Sequence, residues 1–497
     1  MTDRRRWSTI ALAAIAAVVT YYGLPGNVDE LARRTAAIFV VAVVFWATEL
    51  IPLYATSLCI IGMQILFLSG KGGMAEKFPT LTGQPLNDLP SYNVFLAPFA
   101  SGIIILFMGG FLLSAAVTKH GLDKKIAARL LKPFAKKPST LIFAIMLITA
   151  FFSMWMSNTA TAVMMIAIIT PLVKALPEDD KFHKAVILAV PFGANIGGIG
   201  TPIGTPPNAV AMAALQQKFP ELGLGFVDWM IMAVPLALIL IAVAGLLLLV
   251  MFKPKPGVEL PEIEKPTEPI SWKGRITLMI LGGAIFLWVF SGILNIGLSS
   301  AAVALLAAAA LTTLGVLEKR DVDSIDWNVL ILMWGGLSLG KAMEVSGLID
   351  VIAGLPFAEL QGAWLAVIIV ALGVGMSTFM SNTATANVLV PMVIAIGLSN
   401  PDTDAGITLA VQLTVLTALA CSFAMAFPVS TPPNAIAFAT GKIPASALLS
   451  SGGIVSLICV VVLLLGYQFV LPWAIDLSPV LGEVTETVGG AVAPTTP

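Results

Sequence analysis

The sequence is poor in charged residues. Asp, Glu, Lys and Arg make up 11% of the 497 residues, whereas 58% are hydrophobic, and there are only two histidines and three cysteines. A soluble domain carries roughly 25% charged residues, so this composition excludes almost any soluble enzyme. Three cysteines exclude a disulfide scaffold. The net charge of −1 says nothing about partners, but so hydrophobic a composition excludes a nucleic-acid-binding protein.

Long apolar segments are abundant. Residues 231–252 and 447–470 each exceed the ~18 apolar residues that mark a bilayer span. The sequence therefore predicts an all-α polytopic membrane protein. Segments 139–175 and 362–398 are about 37 residues long, and each carries Ser-Asn-Thr near its middle. A polar turn at that position predicts a re-entrant hairpin that enters and leaves on one side of the membrane.

The distribution of Lys and Arg supports a layout of eleven crossings and two hairpins. With the N-terminus in the cytoplasm, 21 of the 27 basic residues lie on the cytoplasmic side and five lie outside. This bias obeys the positive-inside rule. The layout predicts an integral plasma membrane protein, in bacteria the inner membrane, with its N-terminus cytoplasmic and its C-terminus outside.

Three sequence features occur twice in the same order. They are Gly109-Gly110 and Gly335-Gly336, SNTATA from Ser157 and from Ser381, and TPPNA from Thr205 and from Thr431, at offsets of 224 to 226 residues. Five predicted crossings separate the SNTATA copies, so the copies point in opposite directions. Inverted repeats with matching polar interruptions are typical of secondary transporters that bind substrate at the membrane midplane.

The repeat divides the chain into five predicted parts. These are N-terminal spans at 1–97, a first repeat core at 98–252 with hairpin 139–175 and a broken helix at 184–217, a cytoplasmic linker at 253–273, a second repeat at 274–476 with hairpin 362–398 and a broken helix at 406–440, and a disordered tail at 477–497.

The polar interruptions predict a binding pocket without basic side chains. The two prolines that follow Thr205 remove two N–H donors, so backbone carbonyls are freed and a half-helix begins there. Asn158 and Asn382 add amides from the hairpin tips, and neighbouring hydroxyls complete each set. Such a pocket suits Na⁺ through its oxygens and an anion through its N–H and O–H groups. Because the anion would lack a basic partner, cations nearby would stabilise it.

The paired SNT and TPPN motifs, together with WATELIPLYATSL at 46–58, resemble the divalent anion/sodium symporters, the di- and tricarboxylate carriers of the INDY type. The resemblance covers roughly residues 40–470. It implies a homodimer in the lipid bilayer whose protomers each have a scaffold domain, including most of the N-terminal spans, and a transport domain that moves as an elevator. It further implies electrogenic import of C4-dicarboxylates such as succinate, malate and fumarate with more than one Na⁺.

The same resemblance implies specific site residues. The substrate would contact Asn158, Thr159, Thr205, Pro206, Asn382, Thr383, Thr431 and Pro432. One Na⁺ would bind Ser153, Asn158, Gly200 and Gly204, and a second would bind Ser377, Met380, Asn382, Ser430 and Pro432. The second TPPN copy lacks the glycines that precede the first, which predicts a different geometry for the second sodium site.

Several alternatives stay open at the level of sequence. The same fold could exchange dicarboxylates, or carry a tricarboxylate or sulfate. An enzyme would need a nucleophile and base at membrane depth, and the one GxSxG match, around Ser338, has no histidine at its depth; the chain is therefore predicted not to be an enzyme. Glu49 lies at the end of an apolar span, where either a structural or a functional role is possible.

Overall fold

A computed structural model describes residues 3–469 except 82–85, 87, 178, 257–259, 261–267, 293, 295, 355–362 and 401–402. The described part of the chain is helical throughout and contains no β-strand. The predicted tail and ten of the 21 residues of the predicted linker lie outside the described residues. The all-α prediction is thus confirmed for the part of the chain that can be described.

The helices fall into four consecutive groups. The first group is α1 (Asp3–Gly23), α2 (Glu30–Thr48), α3 (Leu53–Leu68), α4 (Asn93–Leu96), α5 (Gly102–Lys119) and α6 (Leu122–Leu131). The second is α7 (Pro138–Ser153), α8 (Asn158–Ala175), α9 (Phe182–Gly198), α10 (Pro206–Lys218) and α11 (Phe226–Met251). The third is α12 (Trp272–Phe290), α13 (Ser300–Thr313), α14 (Lys319–Asp323), α15 (Trp327–Val345) and α16 (Leu348–Ala353). The fourth is α17 (Ala363–Phe379), α18 (Asn382–Leu398), α19 (Thr403–Cys421), α20 (Pro432–Ala439) and α21 (Ala445–Phe469).

The second and fourth groups follow the same plan. In each, two helices flank an SNT turn, a third helix ends before a TPPN motif, a short helix starts at that motif, and a long helix closes the group. Helix α10 packs against α18, and α20 packs against α8, so each short helix rests on the hairpin of the other group. The chain therefore interlocks its two repeats around the turns.

Two glycine pairs allow helices of opposite halves to approach closely. A Cβ at Gly109 of α5 would lie 2.6 Å from the Cβ of Ala304 in α13. A Cβ at Gly335 of α15 would lie 2.4 Å from the Cβ of Ser57 in α3. The repeated Gly-Gly pair thus marks reciprocal packing, with α13 on α5 and α3 on α15.

Seven helices among the described residues are long and apolar enough to cross a membrane. They are Glu30–Thr48, Asn93–Lys119, Asn158–Ala175, Phe226–Met251, Trp272–Phe290, Asp404–Cys421 and Ala445–Gly466. Other apolar helices, including Leu53–Leu68 and Ser300–Thr313, are shorter than one full span. Helix breaks shorten several elements, so the count of eleven crossings stays a prediction.

A buried guanidinium group holds the segment that follows α3. Arg34 of α2 is 6% exposed, pairs with Glu30 at 2.8 Å, and donates to the carbonyl oxygens of Phe67 at 3.1 Å and Ala75 at 2.9 Å. A guanidinium presents five donors in a fixed fork, which a lysine ammonium cannot reproduce.

We expect Arg34→Lys to lower the free energy of unfolding by about 2–3 kcal/mol, because buried carbonyls lose charge-assisted hydrogen bonds. Thermal denaturation of the purified protein measures this change. The matched control is Arg129→Lys at an exposed position of α6, which should stay within about 0.5 kcal/mol of the native protein. Equal melting temperatures for the two variants would contradict the role assigned to Arg34.

Candidate functional site

A cavity of about 720 Å³ lies where the two SNT turns meet the two TPPN motifs. All eight residues predicted to contact substrate line this cavity, namely Asn158, Thr159, Thr205, Pro206, Asn382, Thr383, Thr431 and Pro432. They come from both halves of the chain, with equivalent residues 224 or 226 positions apart. The structure therefore brings the predicted set together, while the role of each residue stays a prediction.

Four helices begin at the wall of this cavity. Helices α8 and α18 begin at Asn158 and Asn382, and α10 and α20 begin at Pro206 and Pro432. The first N–H groups of a helix have no partner within it, and its N-terminus carries partial positive charge. Four such termini at one cavity create a favourable site for an anion.

The charged residues in the cavity lining are both acidic. Glu49 and Asp326 lie there with no Lys, Arg or His among the described lining residues. Glu49 ends α2 in the left-handed backbone conformation, with φ of 47°, and its side chain is exposed. Glu49 therefore lies both at a helix end and at the cavity wall. The sequence predicted its place at the helix end but not its place at the cavity wall.

The break between α9 and α10 has a structural explanation that the sequence argument missed. Pro206 and Pro207 stand at the first positions of α10, where an N–H has no partner in the helix anyway. The break precedes them, and the Nδ2 of Asn208 donates to the carbonyls of Ile199 at 3.1 Å and Thr201 at 2.8 Å. The carbonyl oxygens of Ile199 and Thr201 therefore each use one lone pair in a hydrogen bond to Asn208, and that lone pair is not available to a cation.

The second repeat uses the same device. The Nδ2 of Asn434 donates to the carbonyls of Met425 and Phe427, both at 3.0 Å. These three residues correspond to Asn208, Ile199 and Thr201 at a constant offset of 226. The asparagine of TPPN, absent from the predicted site, is thus the residue that stabilises each helix break, and its recurrence in both copies was the available signal.

Oxygen atoms converge at the first predicted sodium site. Asn158 Oδ1 lies 2.5 Å from Ser153 Oγ and 3.2 Å from the carbonyl oxygens of Ala194 and Gly204. Two arrangements satisfy this cluster: a cation among the oxygens, or a rotated Asn158 amide whose NH₂ group donates to them. Ala194, whose contribution is a backbone carbonyl, was not among the predicted ligands.

The glycines around this cluster have two distinct roles. Gly193 and Gly197 pack against the backbone of α7, as expected for helix packing. Gly204 lies beside Gly198 and Ser153, so that a Cβ there would come within 2.4 Å of the Gly198 carbonyl oxygen. Gly200 lies in the same break, next to Met154 and Gly197, but it does not line the cavity.

The second predicted sodium site contains two buried oxygens without partners. Neither Ser377 Oγ nor Asn382 Oδ1 has a hydrogen-bond partner among the described residues. Ser430 Oγ donates to the Thr378 carbonyl at 3.0 Å, which leaves the oxygen's lone pairs free. Met380, Asn382, Ser430 and Pro432 line the cavity, whereas Ser377 lies behind it.

The GxSxG match has no catalytic surroundings. Ser338 is fully buried in α15, 2.5 Å from Gln64 Oε1 and 3.0 Å from the Phe95 carbonyl oxygen. No base adjoins Ser338 in the part of the chain that the structure describes. The match to a transporter family, and not this absence, shows that the chain is not an enzyme.

This chain is similar to known transporters both in sequence and in fold. A model of the citrate transporter family matches residues 43–418 and 285–482. An uncharacterized transporter of Haemophilus influenzae is 34% identical over 402 residues, covering 77% of this chain and 84% of that protein. The sodium-dependent dicarboxylate transporter SdcS of Staphylococcus saprophyticus is 28% identical over 501 residues, covering 93% and 89% of the two chains. The structure of the Alcanivorax borkumensis YdaH transporter shares the fold, with a TM-score of 0.54 at 14% identity over 94% of this chain and 100% of that chain.

Proposed function

Because the chain belongs to the citrate transporter family and is a secondary transporter, we propose that it imports C4-dicarboxylates such as succinate, malate and fumarate by electrogenic cotransport with several Na⁺ ions. The matches to sodium-dependent dicarboxylate transporters confirm the resemblance to the divalent anion/sodium symporters. The observation that carries the proposal is the convergence of four helix N-termini and the eight predicted residues on one cavity.

The chemistry of the cavity favours a small carboxylate as substrate. Carboxylate oxygens only accept hydrogen bonds, and the lining offers amide and hydroxyl donors as well as helix N-termini. A volume of about 720 Å³ lies within the range of small-molecule sites. The cavity lining contains two SNT turns and two TPPN motifs, and this duplication suits an anion with two carboxylates.

The oxygen clusters favour Na⁺ as the coupling ion. Asn158, Ser153 and the carbonyls of Ala194 and Gly204 supply neutral oxygens, and hard cations are bound by such oxygen ligands. Ser377 and Asn382 supply unpartnered buried oxygens on the other side. A dianion held without a basic side chain gains Coulomb stabilisation from cations nearby, which couples the binding of the two.

The interlocked repeats favour an elevator mechanism. Helix α10 packs on α18 and α20 on α8, and we propose that the hairpins and short helices move together with the cavity against the remaining helices. In the predicted topology Glu49 and Asp326 lie at cytoplasmic ends of helices, so we propose that this conformation opens inward. Two such protomers would form a homodimer in the plasma membrane, with the N-terminus cytoplasmic.

Succinate uptake into proteoliposomes tests the proposal. With an inward Na⁺ gradient we expect uptake that an inside-negative potential enhances, and with choline in place of Na⁺ we expect none. Uptake without Na⁺ that requires internal dicarboxylate would instead establish exchange. If succinate is not taken up under either condition while citrate or sulfate is, the proposed substrate class is wrong.

A further inference from the structure

Asn195 reaches from one repeat into the other. It lies in α9, is 1% exposed and lines the cavity, although no sequence motif includes it as a ligand. Its Nδ2 lies 3.1 Å from Thr431 Oγ1 and 3.4 Å from Asn434 Oδ1. Asn195 therefore contacts the second TPPN motif, 236 residues further along the chain.

The hydrogen-bond network fixes the orientation of the Asn195 amide. Asn434 is fully buried, and its Nδ2 already donates to the carbonyls of Met425 and Phe427. Its Oδ1 must therefore be the atom that faces Asn195, and an acceptor requires a donor opposite. The NH₂ group of Asn195 is accordingly directed at Asn434 and Thr431, while its own Oδ1 is buried without a partner among the described residues.

This network determines what the Thr431 hydroxyl can offer. Thr431 Oγ1 accepts from Asn195 Nδ2 at 3.1 Å and from the backbone N–H of Asn434 at 3.4 Å. A hydroxyl has two lone pairs and one hydrogen. With both lone pairs engaged, Thr431, which lines the cavity, presents its hydrogen as a donor to whatever the cavity contains.

The equivalent threonine of the first repeat lacks this arrangement. The residue that corresponds to Asn195 at the offset of 226 is Cys421, which has no amide. At Thr205 the backbone N–H of Asn208 bonds the backbone carbonyl at 3.2 Å, and the side chain forms no cap bond. The two threonines of the repeat therefore differ in hydrogen-bonding character.

We propose that Asn195 is a positioning residue that holds the Thr431 hydroxyl as a donor to the transported anion. This inference rests on the proposed function and deepens it. A carboxylate oxygen accepts such a donor, whereas Na⁺ requires a lone pair that Thr431 has already committed. Thr431 therefore contributes to recognition of the anion and not to the cation sites. The hydroxyl of Thr205, which forms no cap bond, can either donate or accept a hydrogen bond.

A double-mutant cycle tests the coupling between the two residues. We expect Asn195→Cys, which gives α9 the residue that α19 carries at the equivalent position, to raise the succinate Kd at saturating Na⁺ about 10- to 100-fold, since a donor to a charged group is lost. Thr431→Val should raise it similarly. In the Thr431→Val background, Asn195→Cys should have little further effect, because both changes remove one interaction.

The repeat supplies the matched control. In the Thr205→Val background, Asn195→Cys should raise the Kd by its full factor, since Thr205 does not bond Asn195. Thr431→Ser, which keeps the hydroxyl, should restore the dependence on Asn195. The affinity for Na⁺ measured in the absence of succinate should be unchanged in Asn195→Cys, a readout that general loosening of the site would alter. Asn195→Ala repeats the cycle if Asn195→Cys fails to fold.

The outcomes separate this inference from the proposed function. Full additivity between Asn195→Cys and Thr431→Val would overturn the positioning role. Ligand-induced thermal stabilisation of the native protein by succinate, citrate, sulfate or phosphate identifies the anion that binds. If that anion is not a dicarboxylate, the proposed substrate is wrong and the cycle is measured with the anion that binds. If none of the four binds, both proposals are overturned.

Discussion

Replacing Asn158 or Asn382 by alanine is expected to reduce Na⁺-dependent succinate uptake at least about 100-fold while leaving the folded protein in the membrane. Each amide lies at the start of a helix at the cavity wall; Asn158 adjoins a cluster of oxygens, and Asn382 Oδ1 is buried without a partner among the described residues. Its loss removes a donor to the anion and a ligand of the cation together, and each is worth about 1.5–3 kcal/mol. Initial uptake rates in proteoliposomes with matched protein content measure the effect.

A control variant tests whether the loss of any asparagine amide lowers uptake. Asn93→Ala removes an exposed amide at the start of α4, outside the cavity lining, and should leave uptake unchanged. Native uptake in Asn158→Ala or Asn382→Ala would remove the corresponding hairpin turn from the mechanism.

Asn158→Asp separates the two arrangements that can satisfy the first oxygen cluster. Without an NH₂ group, the side chain cannot donate to Ser153, Ala194 and Gly204. If Na⁺ occupies the cluster, the variant should be more stable in Na⁺ than in choline, and it should lose succinate binding because the added negative charge repels a dianion. A variant destabilised equally in both salts would instead favour the rotated amide and would weaken the case for this sodium site.

The sequence predicted the polar turns and the helix breaks because both interrupt long apolar segments at repeated positions. Ser157 and Thr205 are conspicuous in such surroundings, and their recurrence at offsets of 224 and 226 identified the two halves of one site. The family resemblance then selected residues that the structure places around one cavity. Local pattern and internal repetition together carried this part of the prediction.

Other features depend on contacts that no local pattern encodes. Asn195 is an isolated polar residue in the apolar part of α9, and its partner Thr431 lies 236 residues away. Ala194 contributes only a carbonyl oxygen, which any residue could provide. Asn208 occurs in a recognised motif, yet its bonds to the preceding break follow from the path of the backbone. Such roles become visible only in three dimensions.

The two repeats have diverged most where the first sodium cluster forms. Gly198 of the first repeat corresponds to Ala424 of the second, and Gly204 corresponds to Ser430. A Cβ at Gly198 would lie 2.4 Å from Asn158 Oδ1, so glycine is required for the Asn158 amide to take its position. The second repeat, with side chains at both positions, must hold Asn382 differently, which fits its unpartnered Oδ1.

Alanine substitutions at Gly197, Gly198 and Gly453 should therefore have three different consequences. At Gly197 a Cβ would meet the backbone of Ala150 at 2.2 Å, so Gly197→Ala should destabilise the fold by about 1–3 kcal/mol or more. At Gly198 the obstacle is the movable end of the Asn158 side chain. Gly198→Ala should accordingly keep near-native stability but displace that amide.

Gly198→Ala is expected to lower Na⁺-dependent uptake at least about 10-fold and to raise the Na⁺ concentration for half-maximal uptake, since the loss of one positioned ligand costs about 1.5–3 kcal/mol. Gly453→Ala in α21 is the control, because a Cβ there meets nothing within 4 Å, and it should leave uptake unchanged. Uptake rates over a Na⁺ titration, together with melting temperatures, distinguish the variants. Native Na⁺ dependence in Gly198→Ala would show that the position of the Asn158 amide does not govern sodium coupling, whereas a raised Na⁺ concentration for half-maximal uptake without loss of stability would locate that coupling at the first helix break.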